Sequence, residues 1–339
     1  MTLANRRIVL ASRPRGAASV ENFRLESVPV PAPGPGGVLV RHHYLSLDPY
    51  MRGRMNDAKS YAPPQPLGEV MIGGTAGQVV ASRHPSVAVG DWVVGMGGWQ
   101  EYALYDRQGA ERLRRVDTRR VPLAAYLGPV GMPGVTAWYG LTMILRPEPG
   151  ATVVVSAAAG AVGSVVGQLA KRRGCRAIGI AGGPAKCAYV VDELGFDACI
   201  DYKAASDAAA LDAALGAAAP NGIDACFENV GGRGLDAVLA RMNAFGRVAL
   251  CGMIAGFDGT PVPISNPALI LRSRLAIQGF IVFEHEDLWA SAAAELAEGV
   301  ASGALKYRET VAEGLERAPA AFLGLLRGEN LGKQLVRLV

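Results

Sequence analysis

Over the first 125 residues the apolar positions come in short β-branched runs, Val38-Leu39-Val40, Gln78-Val79-Val80 and Trp92-Val93-Val94-Gly95. Gly/Pro-rich stretches at 29–37, 62–66 and 95–98 separate them. Runs this short, broken by turn residues, predict strands with tight connections. The segment 87–95 reads as a turn at Gly90-Asp91 between two of them. The expectation for 1–125 is an all-β unit, a small antiparallel barrel.

Near residue 126 the pattern changes to alternating strands and helices. Thr152–Ser156 predicts a strand, and Val162–Arg173 a helix with its basic end C-terminal. A strand at Ala177–Ala181 and a helix at Ala185–Leu194, stopped by Gly195, come next. Further strands are expected at Cys199-Ile200, Ala225–Glu228 and Val248–Cys251, with helices at 205–217, 234–243 and 286–302. Short buried strands alternating with helices predict an α/β fold, a doubly wound parallel sheet of the Rossmann kind over 126–303. The tail, 304–339, holds a strand at Gln334–Leu338 and is expected to rejoin the N-terminal barrel.

Composition narrows the class. The chain has 339 residues, half of them apolar and 19% charged, enough for sizeable cores and too apolar for global disorder. Its net charge of +4 is mild and dispersed, which argues against a nucleic-acid partner. Pro149–Ala170 is free of charge over membrane-like length, but it opens with Thr152-Val153-Val154-Val155 and turns through Ala and Gly. That is a buried strand running into a helix, so no membrane partner is expected. The run after Arg6-Arg7, Ile8 to Ala11, is too short for a signal-peptide core. The five cysteines are odd in number, begin only at Cys175 and form no CxxC, which points to reduced thiols in the cytoplasm.

The chemistry starts at Ser156-Ala-Ala-Ala-Gly160-Ala161-Val162-Gly163, between the strongest strand and a helix. Against G-x-G-x-x-G, Gly160 and Gly163 match and Ala158 stands at the first glycine. The second glycine lets a pyrophosphate approach the backbone, the third lets the helix pack close, and the helix N-terminus offers free N–H groups. An ordinary tight strand–helix turn would share the pattern; the strand–turn–helix context favours a dinucleotide. NAD binding calls for an acid at the end of the next strand. Here that strand runs into Ala181-Gly182-Gly183-Pro184-Ala185-Lys186, with no carboxylate and a lysine on the first helical turn. Alone, Lys186 could be a solvated lysine; with the acid missing, it suits a 2′-phosphate and hence NADPH.

Six blocks then carry a family resemblance: Ser46–Arg52, Gly131–Ala137, Ala157–Gly163, Phe227–Gly232, Cys251–Ile254 and Asn330–Lys333. Together they resemble the zinc-independent medium-chain dehydrogenase/reductases, in the branch of NADP-dependent double-bond reductases. That branch holds the leukotriene B4 dehydrogenase/prostaglandin reductases, curcumin reductases and plant alkenal reductases. Gly68–Met71 and Gly73–Thr75 are most similar to the bacterial curcumin-reductase type.

The resemblance implies a GroES-like catalytic domain (1–125, rejoined by 304–339) and an NADP-binding domain (126–303). It implies that Gly160, Ala161, Val162 and Gly163 hold the pyrophosphate, and Lys186 and Tyr202 the 2′-phosphate. Asn229 would hydrogen-bond the cofactor, although its turn-like neighbours equally suit a helix cap. Cys251, Gly252, Met253, Ile254 and Phe257, with Phe280, Ile281 and Val282, would line the nicotinamide through backbone groups. By its residue type alone, Cys251 reads as a small buried side chain and Phe280 as plain core. Asn330 would reach the nicotinamide end from the tail. The resemblance also implies a small-molecule enone or enal substrate, and a homodimer through the strand around Leu275-Ala276-Ile277.

One departure stands out. Several members carry a tyrosine near the substrate where this chain has Phe257, which cannot donate a proton. Tyr50 is then the remaining hydroxyl in a family motif, able either to act as donor or to brace the barrel, with solvent as the other proton source. No cysteine precedes Cys175, and His42, His43 and His84 lack ligand partners at workable spacing, so no metal is expected. Adjacent histidines on a strand point to opposite faces. There is no G-x-S-x-G elbow and no Walker loop. The expected activity is NADPH-dependent reduction of an enone carbon–carbon double bond. A quinone oxidoreductase and a non-catalytic NADPH-binding protein remain as alternatives.

Overall fold

A computed structural model describes residues 3–339; the first two residues of the expected 1–125 domain lie outside the described residues. The chain divides into two units, one of residues up to Leu127 with Glu309–Asn330 and Gln334–Val339, the other of Gly128–Arg308 with Leu331–Lys333.

In the first unit β1 (Ala4–Leu10) and β2 (Phe23–Pro29) pair antiparallel along their whole lengths. A second antiparallel sheet is built on β3 (Val38–Ser46), β4 (Thr75–Ser82), β5 (Trp92–Gly95), β6 (Tyr102–Tyr105) and β7 (Arg114–Arg115). β3 shifts register twice against β4, between Leu39 and Val40 and between His42 and Tyr44. Such bulges bend a strand and let a sheet curl. Beneath the sheets Trp99, fully buried, stacks on Phe23 at 5.3 Å and meets Phe322 edge-on at 5.5 Å.

The unit is not all β. Two short helices interrupt it, α1 (Tyr50–Arg54) and α2 (Arg107–Glu111). Asp106 caps the second by accepting from the Gly109 N–H at 2.7 Å. Five-residue helices leave no periodicity to read.

The second unit opens with α3 (Met132–Tyr139), which loosens into a π-type turn over Gly140–Leu145. Then β8 (Thr152–Ser156), α4 (Gly163–Arg172), β9 (Arg176–Ala181), α5 (Pro184–Ala188), β10 (Ala198–Asp201) and α6 (Ala208–Ala218) alternate. After them come β11 (Ile223–Glu228), α7 (Gly232–Arg241), β12 (Met242–Leu250), α8 (Ala268–Ser273), β13 (Ala276–Gly279) and α9 (Trp289–Ala301). The six strands run parallel in the order β10-β9-β8-β11-β12-β13. This is the doubly wound order whose direction of winding reverses between β8 and β11, and ligands bind outside the carboxyl ends of the strands there.

The centre of this sheet is dry, with Val153, Val154 and Val155 of β8 at 0% exposure. α4 buries Val165, Val166, Leu169 and Ala170 and ends on Lys171 and Arg172, charges that suit a helix C-terminus. Gly167 lets α4 lie against the Phe196 ring, which any side chain there would overlap.

Two further expectations need correction. The helix expected at Ala185–Leu194 is α5 followed by a π-type turn, Tyr189–Glu193. The strand expected at Val248–Cys251 starts at Met242 and ends before Cys251, its pairing with β11 interrupted where Phe245 takes φ +65°. The tail contains the expected strand, β15 (Lys333–Arg337), and carries β14 (Glu309–Glu313) and α10 (Ala318–Leu326) besides. Leu335–Arg337 pair antiparallel with β3.

Candidate cofactor site

β8 delivers the chain to the switch point. Ala157, its first residue beyond the strand, sits at φ +49°, and the Gly160 N–H closes the turn on the Ala157 carbonyl at 2.9 Å. A Cβ on Gly163 would overlap the Ala157 carbonyl oxygen and lie 2.9 Å from both Ala157 C and Ala158 Cα, so α4 packs on the turn only through a glycine. A Cβ on Gly160 would meet one atom, the Ala157 carbonyl oxygen at 3.1 Å. The backbone beside Gly160 is thus bare on a side that the protein itself does not fill. The opening N–H groups of α4, beginning around Ala161, Val162 and Gly163, have no intrahelical acceptor and form the positive end of the helix. The tail braces this turn: Gly332 N–H donates to the Ala159 carbonyl at 2.9 Å, and Gly332 bridges to Gly160. A bare turn at a helix N-terminus is the cradle a pyrophosphate needs.

At the end of β9 the loop Gly182-Gly183 leads into α5, with Lys186 half-buried on it. A Cβ on Gly182 would come within 2.9 Å of Tyr202 and 3.0 Å of Lys203, so both side chains lie across the loop. Burial, and then repulsion from Lys203, draws the Lys186 ammonium below its usual pKa. Two cations over a glycine loop suit a doubly charged phosphate. Lys203 was not singled out from the sequence, nor was Arg233, whose Nη2 donates to the Tyr202 carbonyl at 2.6 Å.

Asp201 is also new here. It stands beside Ala181 in register, and its Oδ1 accepts from Gly183 N–H at 2.7 Å and Lys203 N–H at 2.9 Å. Those backbone donors hold it below the usual carboxylate range. The acid is therefore spent on shaping the loop.

At the end of β11 Asn229 does not cap α7, whose cap is Gly231. Its N–H donates to Ser156 Oγ at 2.7 Å and its Nδ2 to the Ser156 carbonyl at 2.8 Å. Beyond β12, Cys251 N–H donates to the Glu228 carbonyl at 2.9 Å. Burial beside Glu228 pushes the Cys251 thiol up to about 12, which disfavours a thiolate near neutrality. Gly252, Met253 and the short turn Ile254–Gly256 continue to Phe257, and the Met253 side chain packs against Gly231. Beyond β13 the Phe280 ring packs 5.4 Å from Tyr139 and edge-on to Phe227 at 6.2 Å, with Ile281 partly and Val282 fully buried behind it. Phe280 is partly buried, with its ring packed on these aromatic neighbours. All these segments leave the carboxyl ends of one parallel sheet. Asn330, two residues before Gly332, is buried and belongs to the first unit.

In the first unit Tyr50 opens α1. The motif around it is tied down: Ser46 Oγ donates to the Asp48 carboxylate, and buried Arg52 donates to Asn56 Oδ1 at 2.6 Å and the Gly16 carbonyl at 2.5 Å. Burial, with Asp48 and Tyr61 adding and Arg54 opposing, pushes the Tyr50 hydroxyl well above its usual pKa. It is a proton-bearing donor at neutral pH. His42 is buried, with Nδ1 2.7 Å from the Gln100 carbonyl, and burial draws it down to about 4. Among the described residues no three His, Cys, Asp or Glu side chains gather to hold a metal, and no helix is long and apolar enough to cross a membrane.

Comparison with known proteins agrees with this geometry. Residues 6–113 match the N-terminal domain of oxidoreductase, and residues 161–298 a family described as zinc-binding dehydrogenase. The chain is 45% identical to the NADPH-dependent curcumin reductase of Escherichia coli, over 98% of this chain and 97% of that protein. It is 38% identical to the NADP(+)-dependent 2-alkenal reductase of Nicotiana tabacum, with the same coverage. The crystal structure of CurA from Vibrio vulnificus in complex with NADPH superposes with a TM-score of 0.92 at 47% identity, covering 98% of this chain and 99% of that one. With likeness this high along its whole length, the chain belongs to the NADP-dependent double-bond reductases of the medium-chain dehydrogenase/reductase superfamily.

Proposed function

We propose that this protein reduces the carbon–carbon double bond of α,β-unsaturated ketones and aldehydes with NADPH. The observation that carries it is the full-length likeness to two reductases whose names specify that cofactor and, for one, alkenals. The glycine cradle and the Lys186–Lys203 pair fit the same cofactor. When bound, the nicotinamide supplies a hydride to the β-carbon of the enone. Gly160–Gly163 hold the pyrophosphate against the α4 N-terminus. Lys186, Tyr202 and the adjacent Lys203 take the 2′-phosphate. Asn229, the backbone of Cys251–Ile254 and Phe257, and that of Phe280–Val282 orient the nicotinamide, with Asn330 contributing from the tail. Tyr50 donates a hydrogen bond to the substrate carbonyl oxygen, where negative charge develops, and solvent protonates the α-carbon. Stabilising that oxygen and fixing the geometry are what the reaction demands.

The proposal includes zinc-free chemistry in the cytoplasm. It also includes a homodimer. β13 is an edge strand of its sheet, and exposed Phe245 and Leu271 lie on the neighbouring β12 and α8. A monomer mass by light scattering at micromolar concentration would remove the dimer. The activity is tested by following NADPH oxidation over a panel of enals, enones and quinones, with the product identified as the saturated carbonyl compound. Turnover of quinones alone would replace the reading with quinone reduction, and no turnover of either would leave a binding protein.

A further inference from the structure

Glu228 and Ser156 are the last residues of β11 and β8, the two strands that flank the switch point. Glu228 is 1% exposed and forms no ion pair among the described residues. A carboxylate there must be satisfied by hydrogen bonds alone. Three donors converge on Oε1: Ser156 Oγ at 2.8 Å, Val230 N–H at 2.6 Å and Gly231 N–H at 2.8 Å. Oε2 faces the Cys226 thiol at 3.8 Å. Ser156 Oγ, having donated to Glu228, accepts the Asn229 N–H at 2.7 Å.

The backbone continues the junction. The Glu228 carbonyl accepts Cys251 N–H at 2.9 Å and Gly252 N–H at 3.2 Å, and the Val230 carbonyl accepts Ala255 N–H at 3.0 Å. One buried side chain thus joins three segments: the phosphate turn after Ser156, the loop 229–231, and, through that loop, the segment 251–255. A carboxylate with three charge-assisted bonds on one oxygen fixes direction as well as distance.

We propose that Glu228, acting through Ser156 and Asn229, is a positioning residue that sets the pyrophosphate turn and the nicotinamide-side loops in mutual register; this rests on the cofactor reading above. It touches no ligand itself. Lys186, on α5, and Tyr202, beyond β10, follow other strands, so the adenosine 2′-phosphate end of the cofactor is outside its reach.

The test uses full-length protein and NADPH binding by fluorescence, beside binding of adenosine 2′-monophosphate, which engages only the 2′-phosphate pocket. Glu228→Gln keeps the shape and an accepting oxygen but loses the charge; Ser156→Ala loses the bridge. Each is expected to raise the NADPH Kd about 5- to 10-fold, since charge-assisted hydrogen bonds are roughly twice as strong as neutral ones. The double variant should lose less than the product of the two, because the residues share one bond. Adenosine 2′-monophosphate should bind all variants within about twofold of the parent. An unchanged NADPH Kd in folded Glu228→Gln overturns the proposal. So does equal loss for both ligands, which is what general loosening of the fold would give. If the parent protein binds neither ligand, the cofactor reading itself fails.

Discussion

Gly160 and Gly163 sit three residues apart in one turn, and the structure assigns them different reasons for being glycine. Neither adopts a positive φ, so alanine at either position meets no backbone penalty. At Gly163 a methyl would press on three backbone atoms, the Ala157 carbonyl oxygen most closely and Ala157 C and Ala158 Cα at 2.9 Å, and the backbone must move. Overpacking of that kind costs about 1–3 kcal/mol. For a domain of this size each kcal/mol shifts Tm by roughly 2–4 °C, so Gly163→Ala should lower Tm by about 2–12 °C. At Gly160 the methyl meets a single carbonyl oxygen at 3.1 Å, which can give by a few tenths of an ångström. Gly160→Ala should therefore cost less than about 1 kcal/mol of stability. It would, however, cover the bare backbone that the pyrophosphate approaches. Losing a charge-assisted contact to phosphate costs about 1.5–3 kcal/mol, or roughly 10- to 150-fold in Kd. The assay is thermal unfolding without cofactor, paired with NADPH titration by fluorescence. Wild-type affinity in Gly160→Ala would refute the reasoning, as would a loss of Tm equal to that of Gly163→Ala.

Lys186→Ala should raise the NADPH KM by about 10- to 100-fold and leave NADH use nearly unchanged; equal effects on both cofactors would sink the 2′-phosphate role. Tyr50→Phe should lower kcat on a simple enone about 10-fold at saturating NADPH, less than for a fully dry oxyanion donor because water can substitute. Because its pKa is raised, the Tyr50 hydroxyl stays protonated as pH climbs through its usual value of about 10. No alkaline fall in kcat below that pH should then trace to Tyr50, and one that vanishes in Tyr50→Phe would contradict this. Activity should survive prolonged chelation with no stoichiometric zinc by elemental analysis, and loss with EDTA that zinc restores would refute zinc-free chemistry.

The elements legible in the sequence were those whose signal is local. β8 is a β-branched run bounded by Gly150 and a small-residue turn, and its limits match the reading. α4 shows a buried stretch, Gly163 to Ala170, and a basic end within ten residues. What escaped were elements set by tertiary packing. α10 is uniformly apolar, so its pattern lacks the polar face that marks an amphipathic helix, yet Phe322 anchors it against Trp99. In the π-type turn after α5, Tyr189 is buried with the Arg308 guanidinium 5.3 Å from its ring, a partner 119 residues away in sequence. β12 extends back to Met242 through a bulge that only its partner strand reveals.

The same division runs through the site. Gly160, Gly163 and Lys186 belong to motifs a dozen residues long or less, and the sequence shows them directly. Asn229 was ambiguous because its neighbours, Val230-Gly231-Gly232, look like a capping turn; its partner, Ser156, is 73 residues away on another strand. Glu228 passed unnoticed as the end of an apolar run. A physical signal was nevertheless present. A central strand of a parallel sheet covered on both faces offers no water to a carboxylate, so an acid closing such a strand must find donors in the loops beyond it. At a switch point those loops come from both flanking strands, and β8 also ends in a polar residue, Ser156. Polar residues closing the two strands either side of the reversal are therefore candidates for a bonded pair, and here they form one at 2.8 Å. On the proposed reading the glycines open space for the cofactor, and this pair fixes the walls around that space. The second property cannot be read from either segment alone, because it exists only where the two strands meet.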